Sequence, residues 1–186
     1  MFVFDIETLD VESTSVVLSA AIVYFDEKST YQSLLDDCLF VKFDAKEQIK
    51  KYKRTVSKST LEWWGKQSDH AKKISFYPSD KDLTAVEAIS QIRKYLKRES
   101  KEKMIMWSRG AIDSVIMDSL CKAMDVKPLI FYNQHREIRT ALDLLSKTCV
   151  NGYCQVDLKG FSREMVKKHD PVHDVCYDAI QLLYHI

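Results

Sequence analysis

The chain is poor in the residues that punctuate or loosen a fold. It has four glycines and three prolines in 186 residues, so long flexible linkers are not expected. No apolar run approaches the length needed to span a bilayer. Met1 leads directly into a strand-like segment without a basic leader or a cleavage site, so no signal peptide is expected. The five cysteines (38, 121, 149, 154 and 176) are odd in number and contain no Cys-x-x-Cys, and none has a histidine at zinc-finger spacing. They read as free thiols in a reducing cytosol. Excess charge of one sign is also missing, with a formal net charge of +1. What remains is 46% apolar and 30% charged residues, the composition of a soluble globular protein. The length suits one domain spanning residues 1–186, large enough for a substantial core.

The one local charge imbalance is informative. Residues 44–75 carry nine Lys or Arg against four Asp or Glu. Such a run is either a solvated helical face or a rim that tracks phosphates.

Hydrophobic patterning predicts an α/β fold. Met1–Ile6 reads as a buried central strand and Ser15–Phe25 as a second strand. A turn at Asp26–Ser29 leads to a third strand ending in Cys38–Phe43, suggesting an antiparallel hairpin. Short helices are expected over Ala45–Lys53 and Ser59–Gln67. A clear amphipathic helix opens at Asp80 or Asp82, with Leu83, Val86, Ile89, Ile92 and Leu96 at helical spacing. Met104–Trp107 is a fourth strand, Ala111–Met124 a helix, Leu129–Tyr132 a fifth strand, and Arg136–Lys147 a helix. Thr148–Asp170 is the least regular stretch, and a last helix runs from about Asp174 to His185. Strands first, then alternating helices and strands, imply a mixed five-stranded sheet flanked by helices rather than a fully parallel one.

Four acids fall at the ends of these elements. Asp5 and Glu7 are two apart in the first strand and so share a face. Two carboxylates so close raise each other's pKa unless a cation neutralises them. Asp113 lies on the apolar face expected for its helix, with Ile112, Ile116 and Leu120. A cap would explain an acid at a helix start, but an acid turned toward the sheet fits better with a cation or fixed partner waiting there. Asp178 lies at the margin of the last helix's apolar face (Val175, Ala179, Leu182, Leu183, Ile186). His173 is five residues earlier, about 140° around a helix. The two converge only if His173 sits in the loop before the helix and Asp178 one turn inside it. The remaining histidines read as surface residues. Acids converging in this way suit two divalent ions and in-line attack of water on a phosphodiester.

Asp5-x-Glu7, then Asp113, then His173-x4-Asp178 resembles the three motifs of the DEDDh 3′–5′ exonucleases, which have the ribonuclease-H-like fold. Within that superfamily the chain is most similar to the branch that holds a bacteriophage exonuclease and a mycobacterial exoribonuclease. The residues behind that placement are Thr60-Leu61-Glu62-Trp63-Trp64-x-x-Gln67, Trp107-x-Arg109-Gly110-Ala111-x-Asp113 and Arg136-Glu137-Ile138-Arg139-Thr140. One departure is Ile112, where an aromatic residue often precedes the second-motif acid. The five catalytic positions show none.

The resemblance implies a metal-dependent enzyme that hydrolyses single-stranded DNA from its 3′ end and releases nucleoside 5′-monophosphates. An exoribonuclease is the alternative within the same chemistry, and a silent nucleic-acid-binding module is a further one. It implies two Mg²⁺ or Mn²⁺ ions, with Asp5 bridging them, Glu7 and Asp178 completing one site, and Asp113 serving the other. His173 would take a proton from the attacking water. Thr8 and Leu9 would flank the terminal nucleotide, Trp63 or Trp64 would stack a base while the other packs in the core, and Arg109 would contact a phosphate or pair with an acid. The partner would be single-stranded nucleic acid, with no membrane, in the cytoplasm of a bacterium or of a phage-infected cell.

Overall fold

A computed structural model describes residues 1–99, 104–146 and 152–185. Its centre is a five-stranded sheet of order β3-β2-β1-β4-β5, comprising β1 (Phe2–Thr8), β2 (Val17–Tyr24), β3 (Leu39–Lys42), β4 (Met106–Ser108) and β5 (His135–Glu137). β2 is antiparallel to both β1 and β3, whereas β1, β4 and β5 are parallel. The mixed, helix-flanked sheet expected from the sequence is the one observed.

The near-continuous apolar run of β1 reflects burial on both faces. Phe2, Phe4 and Ile6 pack with Ile89, Ile92, Ile116 and Leu120, which come from α5 (Ala85–Glu99) and α6 (Ile112–Ala123). Val3 packs on the opposite face with Ile138 and Leu142 of α7 (Ile138–Leu145) and with Val175 and Ala179 of α8 (Pro171–His185). By strand alternation Asp5 and Glu7 share the Val3 face, so they point toward α8. A register irregularity between Glu7 and Thr8 ends the regular pairing beside the acids, a common place for a bulge to re-aim side chains.

Four expectations about secondary structure need correction. The fifth strand is His135–Glu137, not Leu129–Tyr132; Tyr132–Gln134 is a 3₁₀ turn leading into it. Ile130 is buried all the same, without sheet pairing, whereas Phe131 and Tyr132 are exposed. The link between β2 and β3 is not a simple turn. It holds α1 (Tyr31–Asp37), capped by Thr30, whose side chain accepts from the Ser33 N–H. The third correction concerns α6: its buried face is Asp113, Ile116, Met117, Leu120 and Cys121, and Ile112 is exposed. Finally, α8 begins at Pro171, which places His173 inside its first turn.

The short helices α2 (Ala45–Tyr52), α3 (Lys58–Gly65) and α4 (Asp69–Ala71) follow β3. Asp44 and Ser57 cap the first two. Lys147, Cys149 and Ile186, which entered the sequence expectations, lie outside the described residues. Cys38, Cys121 and Cys176 are free thiols; Cys154 is disulfide-bonded, contrary to the expectation of free thiols throughout. Among the described residues no helix is long and apolar enough to cross a membrane.

Candidate active site

β1 and β4 run parallel, so the loops at their C-terminal ends open on one edge of the sheet, where ligands bind in open α/β folds. A cleft of about 500 Å³ lies there, lined by Asp5, Glu7, Asp113, Asp174 and Asp178 together with Arg109, Arg139, Arg163, Lys168 and His169. One carboxylate oxygen from each of Asp5, Glu7 and Asp174 lies within 4.8 Å of the others.

The electrostatics follow from that crowding. Burial pushes the Asp5 carboxyl well above the usual range, and Asp113, Glu7, Asp174 and Asp178 push it further. Glu7 is raised to about 8 by burial and then by Asp174, Asp113 and Asp170. Asp113 is also raised to about 8, by burial and by Asp178, with Arg139 opposing. Asp174 reaches about 7 through burial, Asp178 and Asp170, against Arg163 and Arg109. Buried acids without neutralising partners favour the protonated form, and a cation among them reverses the preference.

Asp178 differs. Its Oδ1 and Oδ2 accept from Arg109 Nε at 3.0 and 3.1 Å, and Oδ1 also accepts from Arg109 Nη2 at 2.5 Å. Gln181 Nε2 adds a bond at 3.2 Å. Burial lifts this carboxyl while the guanidinium pulls it back. Arg109 also donates to the Gly152 carbonyl at 2.7 Å and lies 4.0 Å over the Tyr153 ring. Arg109 is therefore fixed on several sides.

The loop carrying Arg109 and Asp113 is built locally. Gly110 has φ +94°, and a Cβ there would come within 3.0 Å of the Arg139 guanidinium. Its N–H donates to Glu137 Oε1 at 2.9 Å. Glu137 also caps α7 by accepting from the Arg139 and Thr140 N–H groups. Burial opposes its charge, but these bonds hold its carboxyl below the usual glutamate range. The Arg136–Thr140 segment thus positions the Asp113 loop.

The structure brings Asp5, Glu7 and Asp113 to one cleft. It does not bring His173 there. Because α8 starts at Pro171, His173 and Asp178 occupy one helix and point apart. His173 Nδ1 instead meets the Tyr31 hydroxyl at 2.8 Å. The condition of a histidine before the helix and an acid one turn inside is met four residues earlier, by His169 and Asp174. His169 precedes the helix with φ +57° and lines the cleft. Burial, then Lys168, lowers its pKa from the usual histidine value. The signal was in the sequence: His169-x4-Asp174 has the same spacing as His173-x4-Asp178.

Trp64 is fully buried, and its Nε1 donates to the Thr8 carbonyl at 3.0 Å. Trp63 is 40% exposed. Leu9 is buried in the cluster around Trp64, while the Thr8 hydroxyl donates to the Asp10 carbonyl at 2.8 Å. The cleft's basic groups come from Arg109, Arg139, Arg163 and Lys168; residues 44–75 contribute none of its lining.

With this geometry in view, a family model described as the 3′–5′ exoribonuclease Rv2179c-like domain matches residues 1–183. The chain belongs to that family. It is also similar to a protein of Enterobacteria phage T4 named exodeoxyribonuclease, at 28% identity over 98% of this chain and 87% of the relative. Both comparisons agree with the exonuclease resemblance drawn from the acidic motifs, and their names differ on the sugar.

Proposed function

We propose that residues 1–186 form one 3′–5′ exonuclease domain that shortens single-stranded nucleic acid, DNA in preference to RNA, and releases nucleoside 5′-monophosphates in the cytoplasm. The observation that carries this reading is the meeting of Asp5, Glu7 and Asp174 within 4.8 Å, beside Asp113 and facing a basic wall.

The donor set fits two Mg²⁺ or Mn²⁺ ions. All the ligands are hard carboxylate oxygens, and their raised pKa values mark a site whose charge awaits neutralisation. Asp5, Glu7 and Asp174 would hold one ion, and Asp113 with Asp5 the other. Such ions polarise the scissile phosphate and make water a better nucleophile. Asp174 thus takes the role the sequence reading gave to Asp178, and His169 takes that given to His173. The His169 imidazole accepts a proton from the attacking water, and its lowered pKa keeps a ring nitrogen free at neutral pH. Asp178 fixes Arg109 and its charge at the cleft wall, next to the phosphates. Arg139, Arg163 and Lys168 extend that wall along the strand, and Trp63 offers a face on which a base can stack.

The preference for DNA rests on the nearly full-length similarity to the phage exodeoxyribonuclease. The family's description favours the second reading, an exoribonuclease. Neither catalytic group requires contact with the 2′ position, so discrimination depends on whether a protein group meets the 2′-hydroxyl. Matched DNA and RNA oligonucleotides, labelled at either end, decide among these with Mg²⁺, Mn²⁺ or EDTA. Stepwise loss from the 3′ end, faster on DNA and absent in EDTA, is expected. Faster loss of RNA reverses the sugar assignment; full activity in EDTA removes the two-ion reading.

A further inference from the structure

Outside the cleft, a histidine that the proposed chemistry does not use meets the segment that carries His169. His70, in α4, is 2.8 Å from Asp170 through Nε2 and Oδ2. Asp170 is buried, whereas the His70 side chain is 40% exposed. The other Asp170 oxygen accepts from the Val172 N–H at 3.2 Å, and its carbonyl accepts from the Asp174 N–H at 2.9 Å. One residue therefore touches His70, starts α8 and sets the backbone position of Asp174. Its neighbour His169 has φ +57°, a left-handed backbone uncommon for a side-chain-bearing residue and kept only where its surroundings fix it. A second contact from the same part of the chain reaches His169 directly: the Trp63 ring meets the imidazole edge-on, with centroids 5.0 Å apart at 83°.

The α3–α4 segment is itself anchored. Trp64 is buried and bonded to the Thr8 carbonyl at the end of β1, and the Ser57 N–H donates to the Leu9 carbonyl at 2.9 Å. The segment is thus referenced to the strand that carries Asp5 and Glu7, and it reaches across to the residues around His169.

We infer that His70 is a positioning residue: through Asp170 it fixes the left-handed turn that aims His169 into the cleft, at the correct distance from the acids on β1. This rests on the reading of His169 as the general base. His70 neither lines the cleft nor belongs to the cluster of Asp5, Glu7 and Asp174. Its effect should fall on the rate of the chemical step rather than on binding, since a misplacement of the order of 1 Å costs about 10²-fold.

The test compares His70→Phe, which keeps a ring but removes the polar atom, with His70→Gln, whose Nε2 can replace the lost bond, and with His169→Ala. On a labelled single-stranded oligonucleotide with Mn²⁺, His70→Phe should lower kcat about 10- to 100-fold with KM little changed, and His70→Gln should recover most of the loss. In the metal-free protein, the His169 ring resonances should be single and sharp in the wild type and in His70→Gln, and broadened or doubled in His70→Phe. If His169→Ala is inactive while His70→Phe keeps wild-type kcat, the positioning role is overturned and the base stands. If His169→Ala keeps its rate, the base reading falls first. A drop in melting temperature with kcat unchanged reduces the His70–Asp170 pair to a fastening and also overturns the inference. Should His70→Phe not fold, His70→Ala removes the same contact without adding bulk and is judged by the same outcomes.

Discussion

One helical turn separates Asp174 from Asp178, and their surroundings are opposite. Asp174 projects among acids and has its pKa raised to about 7 by burial and by Asp178 and Asp170. Asp178 projects against a guanidinium that meets both of its oxygens. Each has a histidine five residues before it. His169 lies outside the helix and on the cleft; His173 lies inside the helix and on Tyr31. Two copies of one spacing thus yield a carboxylate that wants a cation from solvent and one that already has a cation from the protein. Spacing in a sequence is not geometry until the helix start is known.

The sharpest way to break this contrast is to remove each carboxylate in turn. Asp174→Asn should abolish turnover and leave the melting temperature unchanged or higher, because it relieves repulsion in the metal-free cluster. Asp178→Asn should instead strand Arg109 and cost about 3–5 kcal/mol of stability, the usual consequence of removing one partner of a buried pair. Denaturant unfolding of the two variants checks this. If Asp178→Asn is stable but inactive and Asp174→Asn keeps its rate, the two roles are exchanged.

The histidines extend the comparison. His169→Ala should slow the reaction about 10²–10⁴-fold, the span of general acid–base catalysis. His173→Ala should cost about 1 kcal/mol through loss of the Tyr31 bond and stay within a few-fold of wild-type kcat. Single-turnover rates at saturating Mn²⁺ separate the two, and equal rates in the two variants would falsify the assignment.

The tryptophans give a parallel contrast. Trp64→Ala empties a fully buried site and should cost about 3–5 kcal/mol of stability. Trp63→Ala should weaken single-strand binding by about 1–3 kcal/mol with a smaller loss of stability. Fluorescence anisotropy and thermal melts read the two effects. No loss of affinity in folded Trp63→Ala removes it from the substrate track.

The last contrast concerns pH. Glu7 and Asp113 start from ordinary values of 4.5 and 3.8 and rise to about 8 in the fold. The native state therefore binds more protons than the unfolded chain between those limits, and stability falls as pH rises through that window. Metal-free protein should melt at a higher temperature at pH 5 than at pH 8, and Mn²⁺ should restore the loss at pH 8 by binding the native state. A melting temperature that rises from pH 5 to pH 8 without metal would show that the acids are not clustered in solution.

The sequence by itself determined the framework. A strand buried on both faces must be nearly all apolar, so Phe2–Ile6 could be read as central and Asp5 and Glu7 as neighbours on one face. The acidic helix start at Asp113 was legible for the same reason: periodicity reports burial. What periodicity cannot report is where a helix begins, because the first turn depends on caps and on what the preceding chain touches. Pro171 permits a start, and Asp170 makes it there by bonding Val172 and His70, a contact spanning a hundred residues of chain. That start puts His169 outside the helix and His173 within it. Likewise Trp63 and Trp64 are indistinguishable by type, and only the packing of α3 against Leu9, Val16 and Leu18 buries one and leaves the other exposed. Arg109 had two readings, phosphate or acid, and the choice of Asp178 as its partner belongs to the tertiary structure, which alone sets the two residues side by side.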